Sequence, residues 1–108
     1  MTQICLESTP EFGEITVLGH CNAGRINGMD LCCCAVSTLV YTLMESLGKM
    51  KLSDFKRSYG GGWCHIRFGK KSKDYKRAAI AADTVMNGFH LLGKSYPTSI
   101  NIVKEAKL

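Results

Sequence analysis

Gly19-His20-Cys21-Asn22-Ala23-Gly24-Arg25-Ile26-Asn27-Gly28-Met29-Asp30-Leu31-Cys32-Cys33-Cys34-Ala35-Val36-Ser37 is the stretch on which the reading of this chain turns. An apolar run, Ile15-Thr16-Val17-Leu18, leads into Gly19-His20 and reads as a strand ending at the histidine. Residues 21–29 hold two glycines and two asparagines, the composition of a mobile loop. Asp30 is a good N-cap, and Val36, Leu39, Val40, Leu43 and Leu47 then recur on one helical face until Gly48 supplies a stop. The order is strand, loop, helix. It makes Cys33 the third helical residue and puts Ser37 one turn further along the same face.

Working outward, residues 3–7 alternate weakly, and Ser8-Thr9-Pro10-Glu11-Phe12-Gly13 supplies a turn, so the N-terminal part reads as a hairpin. Lys56–Tyr59 begins another strand, Gly60-Gly61-Gly62 is a turn, and Trp63–Phe68 returns. Ser72 is placed to cap a second helix from about Lys73 to Leu92, with Ala79, Ala82, Val85, Met86 and Phe89 towards the core and Gly93 as its end. Tyr96-Pro97 leads into a last strand, Thr98 to Val103. The order β-β-α-β-β-α-β predicts an α+β fold: a two-layer domain with two helices on one face of a mostly antiparallel sheet. The other face then needs a polar surface or a partner, and a homodimer is expected.

The 108 residues are 45% hydrophobic and 21% charged, which predicts one globular domain over 1–108. No apolar run approaches the roughly 20 residues of a bilayer span, so no membrane is expected. The opening Met1-Thr2-Gln3-Ile4-Cys5-Leu6-Glu7 lacks the pattern of a secretory signal, and a cytoplasmic protein is expected. Three of the six cysteines are adjacent and would point in different directions on a helix, so reduced thiols are expected rather than a disulfide scaffold. The net charge of +5 comes largely from Lys70, Lys71, Lys73, Lys76 and Arg77, with Lys49, Lys51, Lys56 and Arg57 as a second cluster. Such runs are a solvated face or an RNA footprint.

A cysteine in the first turn of a helix lies where unpaired N–H groups and the helix dipole favour a thiolate. A histidine at the neighbouring strand end, His20, can take its proton, giving a nucleophile and its base. This points to a cysteine hydrolase. Cys32 and Cys34 read as small buried hydrophobes, although periodicity alone does not separate them from Cys33. Asp30 is an N-cap that can also orient His20. Ser37 either donates to a reacting carbonyl or packs below the thiol, and the helix-start N–H groups make an oxyanion hole. Gly24 and Gly28 punctuate a loop placed to act as a lid. His65 and His90 default to structural roles. Two other classes compete: an RNA- or ribosome-binding module using the basic run with Tyr75 and Trp63, and a zinc site from Cys21, Cys33, Cys64 and His65. The Cys-x-x-Cys pairs of structural zinc are missing, so no metal or cofactor is expected.

Gly19-His20, then Gly28-Met29-Asp30-Leu31-Cys32-Cys33, Cys34-Ala35-Val36-Ser37 and Tyr96-Pro97-Thr98-Ser99-Ile100-Asn101-Ile102 together resemble the ribosomal-processing cysteine proteases. Their signature is Gly-His, a Gly-containing loop, and Asp-x-x-Cys opening a helix, with Tyr-Pro before a late alternating strand. The resemblance spans nearly the whole chain. It implies a His-Cys dyad, here His20 and Cys33, a homodimer and a flexible loop over the site. It implies removal of a short N-terminal extension, apolar and aromatic and ending in small residues, from the precursor of a large-subunit ribosomal protein, number twenty-seven. Ribosome association is a further expectation. Two departures stand out: Cys34 occupies a place where small residues are usual, and the His20–Cys33 loop is about one residue longer.

Overall fold

The computed structural model describes residues 1–108. The elements are β1 (Thr2–Ser8), β2 (Phe12–Leu18), α1 (Leu31–Gly48), β3 (Lys56–Gly60), β4 (Trp63–Gly69), α2 (Tyr75–Ser95) and β5 (Ile100–Glu105). They form one five-stranded sheet in the order β3-β4-β2-β1-β5. Three pairings are antiparallel, and the β1–β5 pairing is parallel. The fold is the expected α+β arrangement, with a mixed sheet.

One face of that sheet is the core. Ile4 stands opposite Val17 and Leu6 opposite Ile15, while Ile15 and Val17 in turn face Ile66 and Cys64. All six are buried, as period-two alternation requires when one face is covered. Cys32, Val36, Val40, Leu43 and Leu47 of α1 and Ala78, Ala82, Val85, Met86 and Phe89 of α2 fill the space above. The opposite face is polar along much of its length: His65 pairs with Glu14 at 3.0 Å, and the Arg67 guanidinium lies 4.7 Å above the Phe12 ring.

Several local expectations need correction. β2 begins at Phe12, because the Thr9 hydroxyl accepts the Phe12 and Glu11 N–H groups and tightens the turn. It stops at Leu18, and Gly19 (φ 91°) turns the chain away, leaving His20 two residues beyond the strand. Ser72 does not cap α2: its hydroxyl donates to the Gly69 carbonyl at 2.6 Å and accepts the Ser53 N–H at 2.8 Å. Asp74 takes the N-cap place, yet its carboxylate accepts from the Lys51 N–H instead of capping its own helix. The helix runs through Gly93 to Ser95. The last strand starts at Ile100, because Thr98 and Ser99 belong to a turn closed by the Ser99 N–H on the Tyr96 carbonyl, 3.0 Å.

The expectation about membranes also changes in one respect. α1 is by length and composition apolar enough to cross a bilayer. Six of its apolar side chains are buried against the sheet and α2 instead, which is how a core helix satisfies its apolar stripe.

Phe68, fully buried on β4 with its ring 5.8 Å from that of Tyr75, lies within this core. Phe68→Ala is expected to cost about 3–5 kcal/mol of stability, seen as a lower urea midpoint at unchanged slope.

Candidate active site

The site is assembled where β2 ends, α1 begins and the β3–β4 turn folds over both. Asp30 joins two of these parts. One carboxylate oxygen accepts the Cys33 N–H at 3.0 Å, a true N-cap, and the other accepts the Ala23 N–H at 3.2 Å. The loop is thereby fastened to the helix it leads into. Hydrogen bonds from the Cys33 backbone, the first cause, and from Ala23 hold the Asp30 carboxyl below its ordinary value. Neither oxygen is bonded to His20. Within the loop, Ile26 and Met29 exchange two backbone hydrogen bonds and Arg25 donates to the Gly28 carbonyl at 2.6 Å.

The Cys33 sulfur accepts the Cys21 N–H at 3.3 Å. Burial pushes its thiol above the ordinary value, and that hydrogen bond pulls the other way; the Cys21 thiol and the Asp30 charge add to the rise. Burial thus works against the thiolate that the helix end favours, and Asp30 adds to it in smaller part. Asp30 has brought a negative charge to the same helix end and opposes ionisation of the sulfur. The same residue takes one N–H of the expected oxyanion hole, that of Cys33, which is bonded to its carboxylate. The N–H that does face the sulfur is that of Cys21, a donor hidden in the sequence because any residue supplies one.

His20 is held by backbone. The Gly19 N–H donates to the Gly62 carbonyl at 2.7 Å, pinning the residue before the histidine to the β3–β4 turn. Gly62 has φ 80°, and a Cβ there would meet His20 Nε2 at 2.8 Å. The imidazole thus packs on bare glycine backbone. No hydrogen bond joins His20 to Cys33 in this arrangement. The Gly60-Gly61-Gly62 run, read from sequence only as a turn, is a wall of the site.

Two clefts meet at these residues. The first, of about 130 Å³, is floored by Val17, Val36, Val40 and Cys64, with Tyr41, Tyr59 and Trp63 among its walls. Tyr41 and Tyr59 pack edge to face with centroids 5.3 Å apart. The second is more polar and is lined by Asn22, Gly24, Arg25, Gly28, Met29, Asp30 and Cys34. His20 and Cys33 line both, and no other residue does. A nucleophile and a base on the ridge between an apolar and a polar cleft suit a peptide laid across them.

The family model for the cysteine protease Prp matches residues 1–101. The chain belongs to that family. The fold is also that of the essential ribosomal processing protease Prp from Staphylococcus aureus, solved with a covalently linked product peptide: TM-score 0.80 at 18% identity, covering 97% of this chain and 100% of that one. The same protease with a substrate peptide gives 0.77 at 14% identity, over 97% and 100%. SMU.848 from Streptococcus mutans gives 0.68 at 21%, over 97% and 96%. No curated protein matches. Membership of this family makes the chain a cysteine protease.

Other sequence candidates fall outside the site or change part. Ser37 lines the first cleft with its hydroxyl unbonded. Cys32 is buried in the core and Cys34 is exposed, so only Cys34 departs from the reading of both as buried. Of the four residues of the zinc reading, Cys21, Cys33 and Cys64 line the first cleft, but they form no metal-holding group: burial pushes the Cys64 thiol to about 11, and His65 lies on the other sheet face with Glu14. Nor does the basic run gain aromatic partners. Tyr75 turns inward onto Phe68 and donates to the Leu108 carbonyl, Lys70 bonds the Ser8 hydroxyl, and Trp63 stands at the far end of β4.

Gly62→Ala is expected to displace the His20 ring, shifting its NMR resonances, and to cost about 1 kcal/mol for the positive φ. Gly61→Ala, with open space at its Cβ, is the control expected to leave both unchanged. Asp30 contributes stability that is full above the unfolded carboxyl value, about 4, and is lost as pH falls through its lowered folded value. Asp30→Asn is therefore expected to flatten the acid limb of a stability–pH curve, measured by urea midpoints between neutral pH and pH about 3.

Proposed function

We propose that this chain removes the short N-terminal extension from the precursor of a large-subunit ribosomal protein, number twenty-seven, using His20 as base and Cys33 as nucleophile. The observation that carries the reading is that these two residues alone border both clefts. His20 takes the Cys33 proton, against the burial that raises this thiol. The thiolate attacks the scissile carbonyl, and the Cys21 N–H, already directed at the sulfur, is the donor nearest the forming oxyanion. Ser37, unbonded on the same wall, is a second donor. His20 then protonates the leaving amine, and water releases the acyl-enzyme.

An apolar floor with three aromatic residues in its walls favours apolar and aromatic side chains in the first cleft. β3 is an edge strand, and its Tyr59 and Gly60 line that cleft, so an extended peptide can lie alongside it. The loop carrying Gly24 and Gly28 acts as the lid over the second cleft. The protein works in the cytoplasm, in contact with the ribosome, as a homodimer. Leu18 and Trp63, register partners exposed at 49% and 44%, support a dimer contact on the open sheet face.

Incubation with the precursor, followed by intact mass, is expected to show loss of a short N-terminal peptide. Cys33→Ala and His20→Ala are expected to lower the rate by about 10³-fold or more, whereas Cys34→Ala retains cleavage. A precursor left whole by folded wild type overturns the substrate; cleavage by Cys33→Ala overturns the nucleophile.

A further inference from the structure

Thiols gather around the nucleophile in a way that peptide hydrolysis does not use. Cys21 follows the base His20 directly, is 2% exposed, and lines the first cleft beside Cys33. Its own N–H lies 3.3 Å from the Cys33 sulfur, so the two residues are fixed face to face across the loop-to-helix junction. The thiols are near enough to shift one another's ionisation. The Thr2 hydroxyl is 3.2 Å from the Cys21 sulfur and 3.2 Å from the Gly19 carbonyl. Its single proton can turn to the sulfur when Cys21 ionises.

The other thiols are badly placed to meet Cys33. Cys32 and Cys34 are its chain neighbours on α1, and successive helical side chains diverge by about 100°. Cys34 is exposed on the polar side, Cys5 belongs to the sheet, and Cys64, although on the floor of the first cleft, engages neither thiol. One pair remains.

From this arrangement we infer that Cys21 is a resolving cysteine, which closes a reversible Cys21–Cys33 disulfide when a peroxide reaches the site. The inference takes from the preceding section that Cys33 is the armed thiol. Transfer of the Cys33 proton to His20 gives a thiolate that attacks the peroxide. A sulfur–oxygen bond forms, the oxygen–oxygen bond breaks, and the departing hydroxide is protonated to water. Cys21 then attacks the Cys33 sulfur; the sulfur–sulfur bond forms, the sulfur–oxygen bond breaks, and the proton shed by the Cys21 thiol goes to the departing hydroxyl, which leaves as a second water. Two thiols are oxidised and one peroxide is reduced. A cellular dithiol reverses the link by exchange. Without Cys21 the sulfenic acid at Cys33 remains open to a second peroxide and advances to sulfinic acid, from which thiols do not recover it. The device shuts the protease off while preserving its nucleophile.

The test needs no ribosomal substrate, so its failure is distinct from a failure of the proposed cleavage. Reduced full-length protein is treated with hydrogen peroxide, alkylated and digested with trypsin. Met1–Arg25 carries Cys21 and Ile26–Lys49 carries Cys33. The expected product is these two peptides joined with loss of two hydrogens, the bond placed at Cys21 and Cys33 by fragmentation. Alkylatable thiols fall from six to four and return to six with dithiothreitol. In Cys21→Ala and Cys21→Ser the link is absent, and Cys33 gains two oxygens; Cys32→Ala still forms it. The serine variant guards against a packing defect at this buried position, and circular dichroism confirms that both are folded. Three results overturn the inference: Cys33 untouched, Cys33 passing to sulfinic acid as fast with Cys21 as without it, or a bond to any other cysteine.

Discussion

The carboxylate of Asp30 holds together the two pieces of chain from which the site is made. By accepting from Cys33 it starts α1 at a fixed residue, and by accepting from Ala23 it draws the preceding loop onto that start. Everything near the nucleophile inherits this double bond: the helical phase that puts Cys32 in the core, Cys33 on the ridge and Cys34 in solvent, and the approach of Cys21 to the sulfur. A cap is ordinarily a local device worth one helix end. Burial is the first cause that raises the Cys33 thiol, and the fixed charge of this cap adds to it.

The two helices and five strands were legible because their patterns are strong. Ile4, Leu6, Ile15, Val17, Ile66 and Phe68 alternate as one-sided strands must, and α1 repeats its apolar residues with helical period. The boundaries were less so. Ser72 is a good N-cap by type, but its hydroxyl is engaged by Gly69 and Ser53, contacts that depend on the folded sheet. Gly93 is a good terminator by type, yet α2 continues past it, with the Ile100 side chain 3.9 Å from where its Cβ would be. Local chemistry proposed these stops and tertiary contacts overrode them. The parallel pairing of β5 had no local signal at all.

At the site, side chains could be read and backbone could not. His20, Cys33, Asp30 and Ser37 announce themselves by type and spacing. The Cys21 N–H and the bare backbone of Gly62 do equal structural work without any such mark. Cys21 entered the sequence reading only as a candidate zinc ligand, although its place next to His20 was a usable clue. The three consecutive glycines were another: the two-residue turn uses Gly61 and Gly62, while Gly60 before it answers to the Trp63 indole, which a Cβ there would meet.

The pairing of β1 with β5 has a consequence for the life of the chain before it becomes an enzyme. Thr2 finds its neighbour in Ile100, so the first strand made waits for the last. During vectorial synthesis α1, with an apolar face suited to a bilayer, emerges ahead of α2, which helps to cover it. Meanwhile one edge of β1 stays open as a template for unwanted pairing. Such a topology sets a long loop-closure step late in assembly, and until that step is complete the β1–β2 hairpin stands without its parallel neighbour.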